Sequence, residues 1–213
     1  MLKEDYLTSE NCSNKIIQWG SELQCFQKRW KPFTLQHTAL LVIDMQNYFL
    51  DDKSHAFVPS SRHVLKNVLQ LISLFRNHSQ PIIFTYFAIA READPIGNWW
   101  GDTVREDSFQ SQIFPAFRPR ENEYIFRKST YDSFYRTELE TILRSSNIKH
   151  VVVAGVLSNL CCETTARQAF IRNFSVFFAL DATAAYTEEM HLATLKNISY
   201  GFATPISTRE MLQ

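Results

Sequence analysis

The chain has 213 residues, 45% of them hydrophobic, 14% aromatic and 21% charged, and its 22 Lys+Arg balance 22 Asp+Glu. That length suits one well-buried α/β domain or at most two small ones, and a net charge of zero spread along the chain raises no field to gather phosphates, which argues against nucleic acid or an anionic membrane as partner. The longest apolar stretch, Val151 to Leu157, is far short of a membrane span, and the start MLKEDYLTSENCSNK lacks a basic-then-apolar signal pattern, so a soluble cytoplasmic protein is expected.

Residues 1–36 carry Trp19, Phe26 and Trp30 without a strand signal and read as an N-terminal arm that packs on the domain or on a neighbouring subunit; residues 37–213 read as the domain itself. Six short runs, apolar on both faces, follow in order: ALLVI (39–43), PIIFTYFAI (81–89), EYIFR (123–127), HVVVAGVL (150–157), SVFFAL (175–180) and ATPIS (203–207). Such runs suit parallel strands covered on both sides. Helical patterns lie between them at 60–78, 133–146, 161–173 and 187–201; in the first, Val64, Leu65, Val68, Leu69, Ile72 and Phe75 recur at helical spacing as a core-facing stripe. The alternation predicts a doubly wound α/β domain. Residues 91–122, with three of the seven prolines and the pair Trp99 and Trp100, form a connection long enough to read as a lid over a site.

The glycines follow neither GxGxxG nor a P-loop, which disfavours a dinucleotide or ATP site. The four cysteines form neither a disulfide framework nor a CxxC zinc site. The chemistry is therefore sought beyond the carboxyl ends of the strands, where open α/β sheets bind ligands. Three such ends carry reactive groups: Asp44 in DMQNYF, Lys128 in KSTYDSF, and Cys161 and Cys162 in SNLCCETTAR. A thiol at a helix start lies near unpaired N–H groups and the positive end of the helix dipole, which favour thiolate. A carboxylate could take the thiol proton and return it to a leaving amine, while an ammonium keeps that carboxylate ionised. Taken singly, each residue also suits packing, a turn or a solvated loop. Three strand ends supplying a carboxylate, an ammonium and a thiol together point to acyl transfer from an amide.

These motifs, ALLVIDMQNYF, KSTYDSFYRTELETIL and GVLSNLCCETTARQAF followed by VFFALDATAAYTEEMHLATLKNISYGFA, resemble the isochorismatase-like cysteine hydrolases over most of residues 38–213. The resemblance implies a three-layer α/β/α, Rossmann-like sandwich with a six-stranded, mostly parallel sheet. It implies Asp44 as general base and acid, Lys128 as its electrostatic partner and Cys161, six residues after Gly155, as nucleophile, with Cys162 structural. It further implies a cis peptide at Val156–Leu157, and an oxyanion hole formed by the backbone N–H groups of Leu157 and Cys161.

The histidines are scattered and read as surface or packing residues, and TYFAIAREADP after the second strand lacks the Asp-x-His that relatives use for a metal. No metal and no other cofactor is expected, and nicotinamide is disfavoured as substrate. Gln46, Phe49, Tyr131 and Phe134, with Trp99 and Trp100 from the lid, are candidates to line the pocket; Ser158 and Asn159 read as helix caps and Asp181 as structural. The expected activity is hydrolysis of a C–N bond in a small amide or ureide through a thioester, by a homo-oligomeric enzyme. The alternatives are an isochorismatase-type vinyl-ether hydrolase that uses Asp44 without the thiol, and a non-catalytic binding member of the family.

Overall fold

The computed structural model describes residues 2–89, 95–102 and 104–213. Six strands form one all-parallel sheet in the order β3-β2-β1-β4-β5-β6. They span β1 Thr38–Ile43, β2 Ile82–Phe87, β3 Tyr124–Lys128, β4 His150–Val156, β5 Ser175–Ala184 and β6 Ala203–Ile206. Every residue of β1 is buried and all but the first of β4 and β5, as the two-sided apolar runs require. The helices are α1 Cys12–Leu23, α2 Asn47–Leu50, α3 Ser61–Asn77, α4 Pro95–Trp100, α5 Leu139–Ser145, α6 Glu163–Ile171, α7 Glu188–Gly201 and α8 Thr208–Met211. This is the expected three-layer fold.

The differences from the sequence reading have local causes. Helix α5 starts at Leu139 rather than at 133, because Arg136 takes a left-handed φ of 55° that a helix cannot continue through. Strand β5 runs four residues past Leu180, since Thr183 and Ala184 pair with Gly155 and Val156 beyond a register shift. Asp181 is structural, as expected, accepting the N–H and hydroxyl of Thr208 at 2.7 and 2.9 Å. Residues 12–23 of the arm are helical, and the arm packs on its own chain: Trp19 is fully buried and donates its indole N–H to Glu188, and Tyr6 accepts the N–H of Ala185.

The order in which successive strands are added reverses between β1 and β4, so the crevice beyond their carboxyl ends is where this topology opens a site. Gly155 keeps those two strands close. Its φ is 123°, and a Cβ there would meet the Ile43 carbonyl oxygen at 2.0 Å.

Candidate active site

Three strand ends deliver the site. Asp44 follows β1 in a left-handed turn, φ 50°, that aspartate tolerates. Its N–H is held by the Thr85 carbonyl at 3.1 Å, and the Thr85 hydroxyl donates to Oδ1 at 2.9 Å. Lys128, the last residue of β3, places Nζ 2.6 Å from Asp44 Oδ2, 3.2 Å from Cys161 Sγ and 2.9 Å from the Thr130 carbonyl. The ammonium thus pairs ionically with the carboxylate while it donates to the sulfur and to the carbonyl. Cys161 sits in a single π-helical turn, Ser158–Cys162, that leads from β4 into α6. The peptide before that turn, Val156–Leu157, is cis, at the bond the resemblance implies.

All three side chains are shut away from solvent, and this sets their protonation. Burial works against the Lys128 charge, but the Asp44 carboxylate and the Cys161 sulfur outweigh it, and the ammonium is held above its usual range. Burial pushes the Cys161 thiol up to about 12; Asp44 adds to this and Lys128 opposes it. Desolvation thus outweighs the pull of the helix start and of the neighbouring ammonium, which fits a thiol whose proton a base must take. Cys162 is fully buried, its thiol pushed well up by desolvation, and it packs in the core.

Above Cys161 lies a cavity of about 70 Å³ lined by Tyr48, Phe49, Phe87, Ile96, Trp100, Asp102, Tyr131, Leu157, Leu160, Cys161 and Tyr186. Phe49, Trp100 and Tyr131 therefore stand where the sequence reading put them, and Leu157 and Cys161, the residues named for an oxyanion hole, meet there. The other candidates lie elsewhere. Gln46 is fully buried and bonded to the backbone: its amide N–H groups reach the Phe87 and Gln110 carbonyls, and its oxygen accepts the Phe87 N–H at 2.7 Å. Phe134 packs on Phe174 beneath the Arg172 guanidinium. Trp99 is 80% exposed, one residue out of step with Trp100 on a single helical turn.

The segment read as a lid does contribute walls, through Ile96, Trp100 and Asp102, while its residues 91–94 and 103 lie outside the described residues. Trp100 donates its indole N–H to the Tyr131 hydroxyl at 2.8 Å, and Asp102 accepts the Tyr48 hydroxyl at 2.6 Å and lies 3.0 Å from His55. Neither Ser158 nor Asn159 caps the turn. The Ser158 hydroxyl instead meets Nδ1 of His191, a fully buried ring whose Nε2 faces the Leu180 carbonyl. Sequence reasoning missed Tyr48, Phe87, Ile96, Asp102, Leu160 and Tyr186 as walls and Thr85 as a partner of Asp44. Tyr48, Phe87 and Leu160 each stand within four residues of a motif or strand end, which is the signal that was there to use.

Among the described residues no group of His, Cys, Asp and Glu could hold a metal ion, and no helix is long and apolar enough to cross a membrane. The family model for the isochorismatase domain matches residues 38–210. The chain is 41% identical over 189 residues to nicotinamidase 3 of Arabidopsis thaliana, covering 86% of this chain and 91% of that one. It is 27% identical to enterobactin synthase component B of Escherichia coli, covering 84% of this chain and 64% of that protein. Among solved structures, a cysteine hydrolase from Pseudomonas syringae pv. phaseolicola superposes with a TM-score of 0.81 at 24% identity, covering 86% of this chain and 94% of that one. N-carbamoylsarcosine amidase from Thermoplasma acidophilum superposes with a TM-score of 0.73 at 27% identity, covering 80% and 96%. The match over residues 38–210, together with this fold, means that the chain belongs to the isochorismatase family of hydrolases.

Proposed function

We propose that the protein is a cysteine amidohydrolase acting on a small, uncharged, ring-bearing carboxamide, of which nicotinamide is the first to test. The observation that carries this reading is the buried Asp44–Lys128–Cys161 cluster at the base of an aromatic cavity. Because the thiol sits near 12, it becomes a nucleophile only as Asp44 takes its proton in the presence of substrate. The thiolate attacks the carbonyl carbon, and the backbone N–H groups of Leu157 and Cys161 receive the developing oxyanion. Asp44 then returns the proton to the leaving nitrogen, ammonia departs, and a thioester to Sγ remains. Water, deprotonated by the same carboxylate, hydrolyses it to the acid. Lys128 stays protonated throughout and keeps Asp44 in its ionised, accepting form between steps.

The walls favour the substrate class. Six of the eleven lining residues are aromatic, and the one carboxylate among the described lining residues, Asp102, already meets Tyr48 and His55. Among the described residues the lining holds no cation, so a substrate carboxylate would be desolvated beside Asp102 without a counter-charge. This weighs against carboxylate-bearing ureides and against isochorismate. It also reverses the low weight that the missing Asp-x-His gave to nicotinamide, as does the name of the relative at 41% identity.

The test is ammonia release from nicotinamide, benzamide, biuret, ureidoacrylate and carbamoylsarcosine, with Cys161→Ala alongside. Release from the ring-bearing amides that falls at least about 10³-fold in the variant is expected. Turnover that survives in Cys161→Ala, or isochorismate hydrolysis with no amide hydrolysis, would reject the reading.

A further inference from the structure

Three tyrosines face the cavity, and their hydroxyl protons have different fates. The Tyr48 proton goes to Asp102 Oδ2 at 2.6 Å, and the Tyr186 proton to the Ala56 carbonyl at 3.0 Å. The Tyr131 oxygen instead accepts the Trp100 indole N–H at 2.8 Å. An indole N–H can only donate, so the direction of that bond is fixed and the Tyr131 proton is left over. Among the described residues it meets no acceptor, although both rings line the cavity beside Cys161. An O–H whose own oxygen accepts a hydrogen bond is a better donor than an isolated one.

We infer that the Tyr131 hydroxyl, oriented by Trp100, is the specificity-determining donor of this site, and that the substrate carries a hydrogen-bond acceptor besides its scissile carbonyl, such as an unprotonated ring nitrogen. The inference rests on the amide-hydrolysis reading for the identity of the scissile group but not for the bond itself. Discrimination follows from the cost of leaving the donor unpaired. A ring of the same shape with C–H in place of nitrogen buries the Tyr131 proton against carbon, whereas a pyridine-type nitrogen accepts it. Trp100 is a positioning residue here, since it acts on substrate through Tyr131.

Nicotinamide and benzamide differ by that one atom, and their affinities can be compared without turnover in Cys161→Ala protein by calorimetry or ligand-observed NMR. The expected result is nicotinamide binding about tenfold tighter than benzamide in Cys161→Ala, with the preference shrinking to within about twofold in Cys161→Ala/Tyr131→Phe. Cys161→Ala/Trp100→Phe should lose part of the preference, because the hydroxyl remains but is no longer held. Benzamide affinity should rise in Cys161→Ala/Tyr131→Phe, since the hydroxyl that benzamide leaves unpaired is gone while the ring that packs on it stays. Equal affinities in Cys161→Ala, a preference unchanged by Tyr131→Phe, or binding of neither amide would overturn the inference. Turnover that survives Cys161→Ala strikes the reading of the reaction alone, and the affinity ratio still decides the role of Tyr131.

Discussion

An ammonium with no exposed surface is tolerable at Lys128 because it pairs with the Asp44 carboxylate at 2.6 Å and donates to the Thr130 carbonyl and the Cys161 sulfur. Breaking such a buried pair by removing one partner costs about 3–5 kcal/mol, because the other charge is left without compensation. Asp44→Asn is therefore expected to lower stability as well as to stop turnover. It also has a signed effect on the thiol. Asp44 is among the groups that push Cys161 up to about 12, so its neutral replacement should bring the thiol down, toward easier ionisation in an enzyme that no longer works. The pH dependence of iodoacetamide alkylation reads this directly, with the exposed Cys25 first replaced by serine. A thiol that titrates as high in Asp44→Asn as in the wild type would show that the carboxylate does not act on it.

At the scale of elements, the site depends on how closely β1 and β4 run at their carboxyl ends. Ile43 pairs with Gly155, Asp44 follows one and the turn bearing Cys161 follows the other. A methyl group on Gly155 would overlap the Ile43 carbonyl and would also force a side-chain-bearing residue to φ 123°. Gly155→Ala is thus expected to cost about 3 kcal/mol or more, read as a lower melting temperature or denaturant midpoint. Its remaining folded fraction should be poorly active, because parting β1 from β4 moves Asp44 away from the turn that bears Cys161. Wild-type stability in Gly155→Ala would mean that the two strands have room the structure does not show.

For the whole molecule, the N-terminal arm closes over the back of the site. Trp19 and Tyr6 lie against the His191 ring, with centroids 4.9 and 5.7 Å away, and that ring holds Ser158 at the start of the turn bearing Cys161. Burial lowers His191 from 6.5 to about 4, against smaller opposing effects of the Leu180 carbonyl and Glu188. The unfolded chain therefore binds a proton here more readily than the folded one. The stability that comes from keeping this ring neutral is fully present above pH 6.5 and is lost as the pH falls from there to about 4, by up to about 3 kcal/mol. Chemical denaturation at a series of pH values should show this slope in the wild type and a flatter one in His191→Gln. An unchanged slope would assign the acid sensitivity to other groups.

How much of this was legible in the chain follows from which interactions are local. Strands β1, β4 and β5 were readable because burial on both faces leaves a continuous apolar run, whereas β3 is an edge strand with Tyr124 and Ile125 exposed; Asp44 and Lys128 stood out because each ends a run, and Cys161 because it lies in the turn that follows one. Those facts about period and polarity belong to the sequence by itself. Tertiary structure decided the rest. Gln46 and Phe134 turn away from the cavity and Tyr48 and Tyr186 turn toward it, because the direction of a side chain is set by neighbours far off in sequence, such as the Gln110 carbonyl for Gln46 and Ala56 for Tyr186. A helix start favours ionisation of the thiol, yet burial pushes it up to about 12, because desolvation depends on how completely the surrounding elements exclude water, and that is not local to the motif.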